Sequence, residues 1–248
     1  MHSERKRSRK KLWMRVLATL TALLVAAVAG VCLAYPSVAA TTCPGCYGLT
    51  EFDGHEGVYA QDNLSAAQRS QIEQVVEQSR ETIATFYGAQ TSSPSLLICL
   101  TESCYERIGG GKERGIAVLN RAVMLSPRGM DAVIASHEMS HVELHTRLAS
   151  GAEVPQWFDE GLAVVVSDDP RYLRPEPAAD RCLISPSGPL PVTLEEWLST
   201  ASKDAGTYGK AACQVSRWLR EKGGSTGLLS LIDRLNAGAP FATLVESP

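Results

Sequence analysis

The first forty residues constrain this chain more than any other feature, because they contain an uninterrupted apolar run. Residues 16–34 carry no charge in nineteen positions and follow a basic stretch, ERKRSRKKLWMR. A basic run, an apolar segment and then small residues, here SVAA at 37–40, are typical of an export signal. Nineteen apolar residues also nearly span a bilayer. A cleaved signal and a retained membrane anchor both fit, and the length slightly favours the anchor. Either one predicts that the remainder lies outside the cytoplasm, in the cell envelope.

The exported part of the chain is acidic. Residues 1–40 hold seven of the 24 Lys and Arg residues and one of the 27 Asp and Glu residues, which leaves 17 basic and 26 acidic residues, a net charge of −9. Binding to nucleic acid needs a basic face that neutralises phosphates, so nucleic acid is not expected as a partner.

Six of the seven cysteines lie in the exported part, an even number in a compartment that permits disulfides. Six cysteines allow fifteen pairings, and local spacing suggests Cys43–Cys46, Cys99–Cys104 and Cys182–Cys213. The CPGC sequence at 43–46 would also suit a redox pair or half of a zinc site. No predicted strand precedes it, however, so a small structural disulfide is favoured.

The pattern of the exported chain predicts one α+β domain. We divide the chain into an export signal or anchor at 1–40, a linker with the first cysteine pair at 41–64, and the domain at 65–248. A helix is expected at 65–88, a short buried strand at 95–100, and one strand or a tight hairpin at 116–126. A helix with the histidines then follows, and the C-terminal half reads as helical. The predicted order is therefore a helix, a small sheet, the histidine helix and a helical half.

Three of the five histidines fall within eleven residues, in ASHEMSHVELH at 135–145. Positions i and i+4 share one face of a helix, so His137 and His141 can direct two imidazole nitrogens to one point. Glu138 is then placed to contact a water on a bound metal rather than the metal itself. This is the H-E-x-x-H arrangement of zinc hydrolases. The pattern alone is modest evidence, because two surface histidines on a helix would also produce it.

A catalytic zinc ion requires a third protein ligand. His145 lies one turn further along, but ligands at i, i+4 and i+8 on a straight helix span about 12 Å, too far for one ion. We therefore expect His145 beside the site, along a cleft or on the surface. The segment PQWFDEGLA at 155–163 is a better source, with two acids, Asp159 and Glu160.

The joint pattern resembles the active site of the gluzincin superfamily of zinc metallopeptidases, which includes the thermolysin-like peptidases and the aminopeptidase N family. It consists of H-E-x-x-H, eighteen intervening residues and a Glu within an aromatic-x-Glu-Gly-x-Ala segment. The resemblance covers about residues 95–235, and the two active-site segments are its strong part. The compact chain also looks like the small peptidase core domains grouped as peptidase MA-like.

The resemblance implies that His137, His141 and Glu160 bind one Zn²⁺ ion and that Glu138 is the general base. Asp159 competes with Glu160 for the third position, but its spacing differs from the family's by one residue. On a helix that difference rotates a side chain by about 100°, so Glu160 is the expected ligand.

The resemblance also implies a donor for the oxyanion and a strand that binds peptide. Tyr208, at the start of a predicted helix, corresponds to the transition-state tyrosine of the aminopeptidase N family; the alternative is a packing aromatic. Tyr172 is a weaker candidate for the same role. In gluzincins the strand before the histidine helix is an edge strand that pairs with extended peptide, and the strand at 116–126 takes that place here.

Two departures from the family restrict the expected activity. The aminopeptidase signature Gly-x-Met-Glu-Asn is absent, so exopeptidase activity is not expected. Thermolysin-like enzymes carry Asp four residues after the zinc-binding Glu, where this chain has Val164, so the histidines must find other partners. The expected function is a zinc-dependent endopeptidase acting on peptide or protein, exported or anchored to the membrane. The alternatives are a non-catalytic zinc-binding envelope protein that binds a partner, which does not need Glu138, and a hydrolase of other amide bonds.

Overall fold

The structure is a computed structural model that describes residues 2–204 and 206–245, with side chains from residue 13 onward. The strands are β1 Leu49–Glu51, β2 Val58–Gln61, β3 Ser95–Ile98, β4 Gly115–Val118 and β5 Ala122–Leu125. The helices are α1 His2–Ala34, α2 Pro36–Thr42, α3 Ala66–Tyr87, α4 Glu102–Arg107, α5 Ala132–Arg147, α6 Gln156–Val166, α7 Leu194–Ala201, α8 Thr207–Lys222, α9 Ser225–Asn236 and α10 Phe241–Leu244. The predicted α+β class is confirmed.

The five strands form one mixed sheet in the order β1-β2-β3-β5-β4. Strands β2, β3 and β5 are parallel, and β1 and β4 pair antiparallel at the two edges. The segment at 116–126 is therefore a hairpin rather than one strand. Side chains alternate across the sheet, so Leu96 and Ile98 of β3 enter the larger core and Leu97 enters a smaller core on the opposite face.

Helices α3, α5 and α6 pack on the face with the larger core. Helix α3 starts with a capping box. The backbone N–H of Gln68 donates to the Ser65 hydroxyl, and the backbone N–H of Ser65 donates to Oε1 of the Gln68 side chain. Helix α5 starts at the Asp131 side chain, which accepts from the Ile134 amide at 2.8 Å. The Asp131 cap fixes the residue at which the histidine helix begins.

The smaller core lies under α2 and α4, on the other face of the sheet. Residues 41–64, which the sequence analysis assigns to a linker, include β1, β2 and the end of α2. The strands are short and follow glycine-rich turns, so their periodicity is weak in the sequence, but pairing with β3 gives them a place in the sheet.

Three disulfides join the pairs that local spacing predicts: Cys43–Cys46, Cys99–Cys104 and Cys182–Cys213. The last one ties the irregular segment between α6 and α7 to α8. Three disulfides indicate an oxidising compartment outside the cytoplasm. An apolar stretch of 22 residues, Trp13–Ala34, is long enough to be an export signal or a membrane span.

Helices α6 and α8 cross closely at Gly161. A Cβ atom at this position would lie 2.6 Å from the carbonyl oxygen of Ala211, so only glycine fits without a shift of the backbone. Every residue of α6 from Trp157 to Val166 is buried, and the helix runs through the centre of the domain between α5 and α8. This position fixes the acids of α6 against the histidines of α5.

Candidate metal centre

Helix α5 presents His137 and His141 on one face, as their spacing predicts. Their rings lie with centroids 5.0 Å apart at 79° to each other. His137 is 9% exposed, and the His141 side chain is 12% exposed. Both imidazoles are therefore held by packing before any ligand is present.

Helix α6 brings Glu160 to the same point. Oε2 of Glu160 lies 3.5 Å from Nε2 of His137 and 3.8 Å from Nε2 of His141. The three ligand atoms all lie within 4.8 Å of one another. Bond lengths of about 2.0–2.1 Å in a tetrahedron separate neighbouring ligand atoms by about 3.4 Å, so the cluster can hold one metal ion with small adjustments. Two imidazoles and one carboxylate are a donor set that zinc accepts.

The second oxygen of the Glu160 carboxylate also has a partner. Nε2 of Gln156, one turn earlier on α6, donates to Oε1 of Glu160 at 3.2 Å. Burial raises the pKa of Glu160, but the hydrogen bond and charge of His137 and the charge of His141 outweigh it and hold this pKa below its usual value. Glu160 is therefore ionised and its Oε2 faces the histidines.

Asp159 contacts two histidines, an arrangement that the sequence does not predict. Its Oδ1 lies 2.7 Å from Nδ1 of His141, and its Oδ2 lies 2.8 Å from Nε2 of His145. The turn of about 100° between neighbouring helix positions directs Asp159 away from the point where the ligand atoms meet and toward the far side of the His141 ring. A carboxylate at Nδ1 fixes the tautomer that leaves Nε2 free to bind metal.

Charges in this cluster shift several pKa values. Burial lowers the pKa of His141, but the charge and hydrogen bond of Asp159 and the charges of Glu160 and Glu138 outweigh burial and raise it to about 10. Burial raises the pKa of Asp159, but His141 and His145 hold it well below its usual range. In the metal-free site His141 therefore carries a proton at neutral pH that a metal must displace.

Val164 cannot hydrogen-bond to a histidine, and Asp159 is the residue that contacts His141 instead. From the sequence, Asp159 is expected only as a ligand that competes with Glu160. A possible signal was the pair of adjacent acids on a helix that is otherwise apolar, since a second buried acid needs a partner of its own. His145, expected near the site or on the surface, lies one step further out and contacts Asp159.

Glu138 lies between the histidines and the sheet. A Cβ atom at Gly115, the first residue of β4, would lie 2.8 Å from Cγ of Glu138, so the glycine makes room for this side chain. Burial raises the pKa of Glu138, and although the charges of His137 and His141 and a hydrogen bond to the Ala117 backbone act in the other direction, the result remains above its usual value. The carboxyl group thus lies against the edge strand and within the electrostatic reach of both histidines.

Tyr208 reaches the site from the first turn of α8. Its ring centroid lies 6.4 Å from that of His137, and it packs edge-on against Trp197 at 4.9 Å and stacks on Tyr172 at 5.3 Å. Burial is the main cause that raises the pKa of Tyr208 above its usual value, with a further contribution from the charge of Glu160. Both tyrosines named from the sequence therefore lie next to one another, with Tyr208 in contact with the histidine cluster.

Comparison of the sequence and the structure with known proteins finds no match. No family model matches the chain, and neither does any curated protein or any solved structure. The resemblance to gluzincins therefore stays a prediction from the sequence, and the structure shows the cluster of His137, His141 and Glu160.

Proposed function

We propose that this protein is a zinc metallopeptidase of the gluzincin type, an endopeptidase that acts on peptide or protein outside the cytoplasm. The observation that carries the proposal is the buried cluster of His137, His141 and Glu160 with Glu138 beside it. A site that only bound metal for structure would not need Glu138, because a carboxylate that is partly withdrawn from water beside the ligands is costly to desolvate.

In this proposal His137, His141 and Glu160 would hold the metal. A zinc ion bound there supplies Lewis-acid chemistry, because it lowers the pKa of water and polarises a carbonyl group. The Nδ1 atom of His141 stays bonded to Asp159, and the Gln156 amide keeps one oxygen of Glu160 occupied. These contacts hold the ligand atoms in place before a substrate arrives.

Glu138 is the proposed general base. Its raised pKa favours uptake of a proton from the attacking water, whose oxygen forms a bond to the carbonyl carbon of the substrate. As the C–N bond breaks, the protonated carboxyl group donates that proton to the leaving amine. Tyr208 stays protonated because burial raises its pKa, so its hydroxyl group is available as a donor to a developing oxyanion.

Strand β4 is the proposed surface for the substrate backbone. It is an edge strand of the sheet, and in the described residues it pairs only with β5. An extended peptide that adds to its free edge would pass Glu138, which packs against the first residue of the strand.

The test compares Glu138→Gln with wild type and with Glu153→Gln, a matched control at an exposed position. Each full chain is purified, its zinc is measured by mass spectrometry, and it is incubated with a mixed library of 15-residue peptides. We expect about one zinc per chain in all three proteins and hydrolysis reduced by about 100-fold or more in Glu138→Gln alone. Equal hydrolysis in Glu138→Gln would contradict the proposal. Zinc without hydrolysis in wild type would favour the non-catalytic, partner-binding alternative.

A further inference from the structure

The residues after the apolar segment are folded into the domain rather than left as a tether. Helix α1 ends at Ala34 and α2 begins at Pro36. Hydrogen bonds continue through the junction, because the Tyr35 amide donates to the Val31 carbonyl and the Ala39 amide donates to the Tyr35 carbonyl. Only one residue therefore separates the apolar helix from the helix that follows it.

Helix α2 is part of the smaller core. Ala40 is 0% exposed and Val38 packs against the same cluster, which includes Val118 of the edge strand β4. These are the residues of the SVAA sequence that would suit a signal peptidase. Cleavage after Ala40 would remove most of α2 and uncover the part of the smaller core that α2 covers, while α4 would remain on the same face of the sheet.

A short loop connects the junction to the proposed active site. A Cβ atom at Gly109 would lie 2.5 Å from the backbone nitrogen of Ser37, and Gly115 at the other end of the loop contacts Glu138. Six residues span at most about 21 Å when fully extended, and the three residues from Ala34 to Ser37 add about 10 Å. With the contact distances included, Glu138 lies within roughly 40 Å of the end of the apolar helix whatever the orientation of the domain.

The charge of this loop suits a membrane surface. Lys112 and Arg114 are exposed, while Glu113 between them accepts a hydrogen bond from the Gly111 amide. The exported chain is otherwise acidic, so a basic loop near the apolar helix is a local feature. Exposed basic residues are attracted to anionic lipid headgroups that lie within about a Debye length of them.

We infer that α1 is retained as a membrane anchor and that the substrate is an extended segment of another polypeptide tethered to the same membrane, within roughly 40 Å of the bilayer. The rigid junction would keep the edge strand β4 at this height and exclude segments further from the membrane. The choice of substrate rests on the proposed peptidase function, whereas the retained anchor does not.

The first arm of the test measures the N-terminus. The full chain is expressed with a C-terminal tag in a bacterium that exports it, membranes are washed with alkaline carbonate, and the intact mass is determined. We expect a chain in the membrane fraction that still contains residues 13–34. A mature chain that begins anywhere from Tyr35 to Cys43 and is released from membranes would overturn the inference, with or without hydrolytic activity.

The second arm measures reach with membrane-tethered reporters. Each carries a segment that the purified chain cleaves in the peptide library, placed either next to the span or beyond a 30-residue proline-rich spacer, about 90 Å long. We expect wild type to cleave the near reporter at least tenfold faster. The same spacer inserted between Tyr35 and Pro36 should reverse that preference, and Glu138→Gln should cleave neither reporter. Equal cleavage of both by wild type would overturn the inference. Cleavage of neither reporter nor library peptides by an anchored chain would instead contradict the peptidase function.

Discussion

Asp159→Asn removes a negative charge that lies 2.7 Å from Nδ1 of His141 while keeping the size of the side chain. Carboxylates that hold a ligating histidine in this way contribute about 10–100-fold to metal affinity. Asp159 is only 6% exposed, so solvent screens its charge weakly. We therefore expect zinc affinity to fall by about 30–100-fold, which corresponds to about 2.0–2.7 kcal/mol.

Zinc and protons compete for His141, but this competition does not reverse the expected decrease in zinc affinity. Burial disfavours the charged form of His141, yet Asp159 and the other acids raise the pKa of His141 to about 10, and a metal must displace that proton. Removing the charge of Asp159 weakens the binding of both cations. The zinc ion carries twice the charge of the proton, and Asp159→Asn also removes the carboxylate that fixes the tautomer with Nε2 free, so zinc affinity still decreases.

The assay is a competition titration with a chromogenic zinc chelator at pH 7.5. Asp233→Asn, which removes a charge from an exposed position of α9, is the matched control. Calorimetry in buffers with different heats of ionisation gives the number of protons released, which should fall in Asp159→Asn. Unchanged zinc affinity in Asp159→Asn, or an equal loss in Asp233→Asn, would refute the role assigned to Asp159.

Three further predictions concern packing, the oxyanion and pH. Gly161→Ala, which places a Cβ atom against the Ala211 carbonyl, should lower the free energy of unfolding by about 1–3 kcal/mol in urea titrations; unchanged stability would contradict the close crossing. Tyr208→Phe should lower kcat by about 100-fold with little change in KM or zinc content, whereas Tyr172→Phe should not; the reverse result would make Tyr208 a packing residue. In the metal-free chain, the stability contributed by protonated His141 should be full below about pH 6.5 and lost as the pH rises toward about 10. Urea midpoints of wild type should therefore decrease relative to those of His141→Gln across this range, and a constant difference would exclude the effect.

The sequence predicts the parts of the metal centre that depend on distance along one helix. His137 and His141 share a face because they are four residues apart, and α5 places their Nε2 atoms near one carboxylate. The choice of Glu160 over Asp159 came from the family's spacing. In the structure Oε2 of Glu160 faces both histidines, and Asp159 faces the opposite side of the His141 ring.

The sequence could not predict features that depend on how separate elements pack. The bond from Asp159 to Nδ1 of His141 requires the angle between α5 and α6, which the close approach of α8 at Gly161 helps to set. Strands β1 and β2 are only three and four residues long, and their pairing with a distant strand gives them their place. The packing of α2 on the sheet could not be predicted either. The small residues of SVAA suit a processing site, but they also suit packing in the smaller core.

The most direct test of the three-ligand site is the metal content of the full chain, measured by mass spectrometry after purification with added zinc. The variants His137→Ala and Glu160→Ala are measured beside it, and His55→Ala, outside the cluster, is the control. We expect about one zinc per chain in wild type and in the control, and loss of zinc in both cluster variants. A chain that holds no zinc, or variants that keep it, would contradict the three-ligand site on which the proposed function depends.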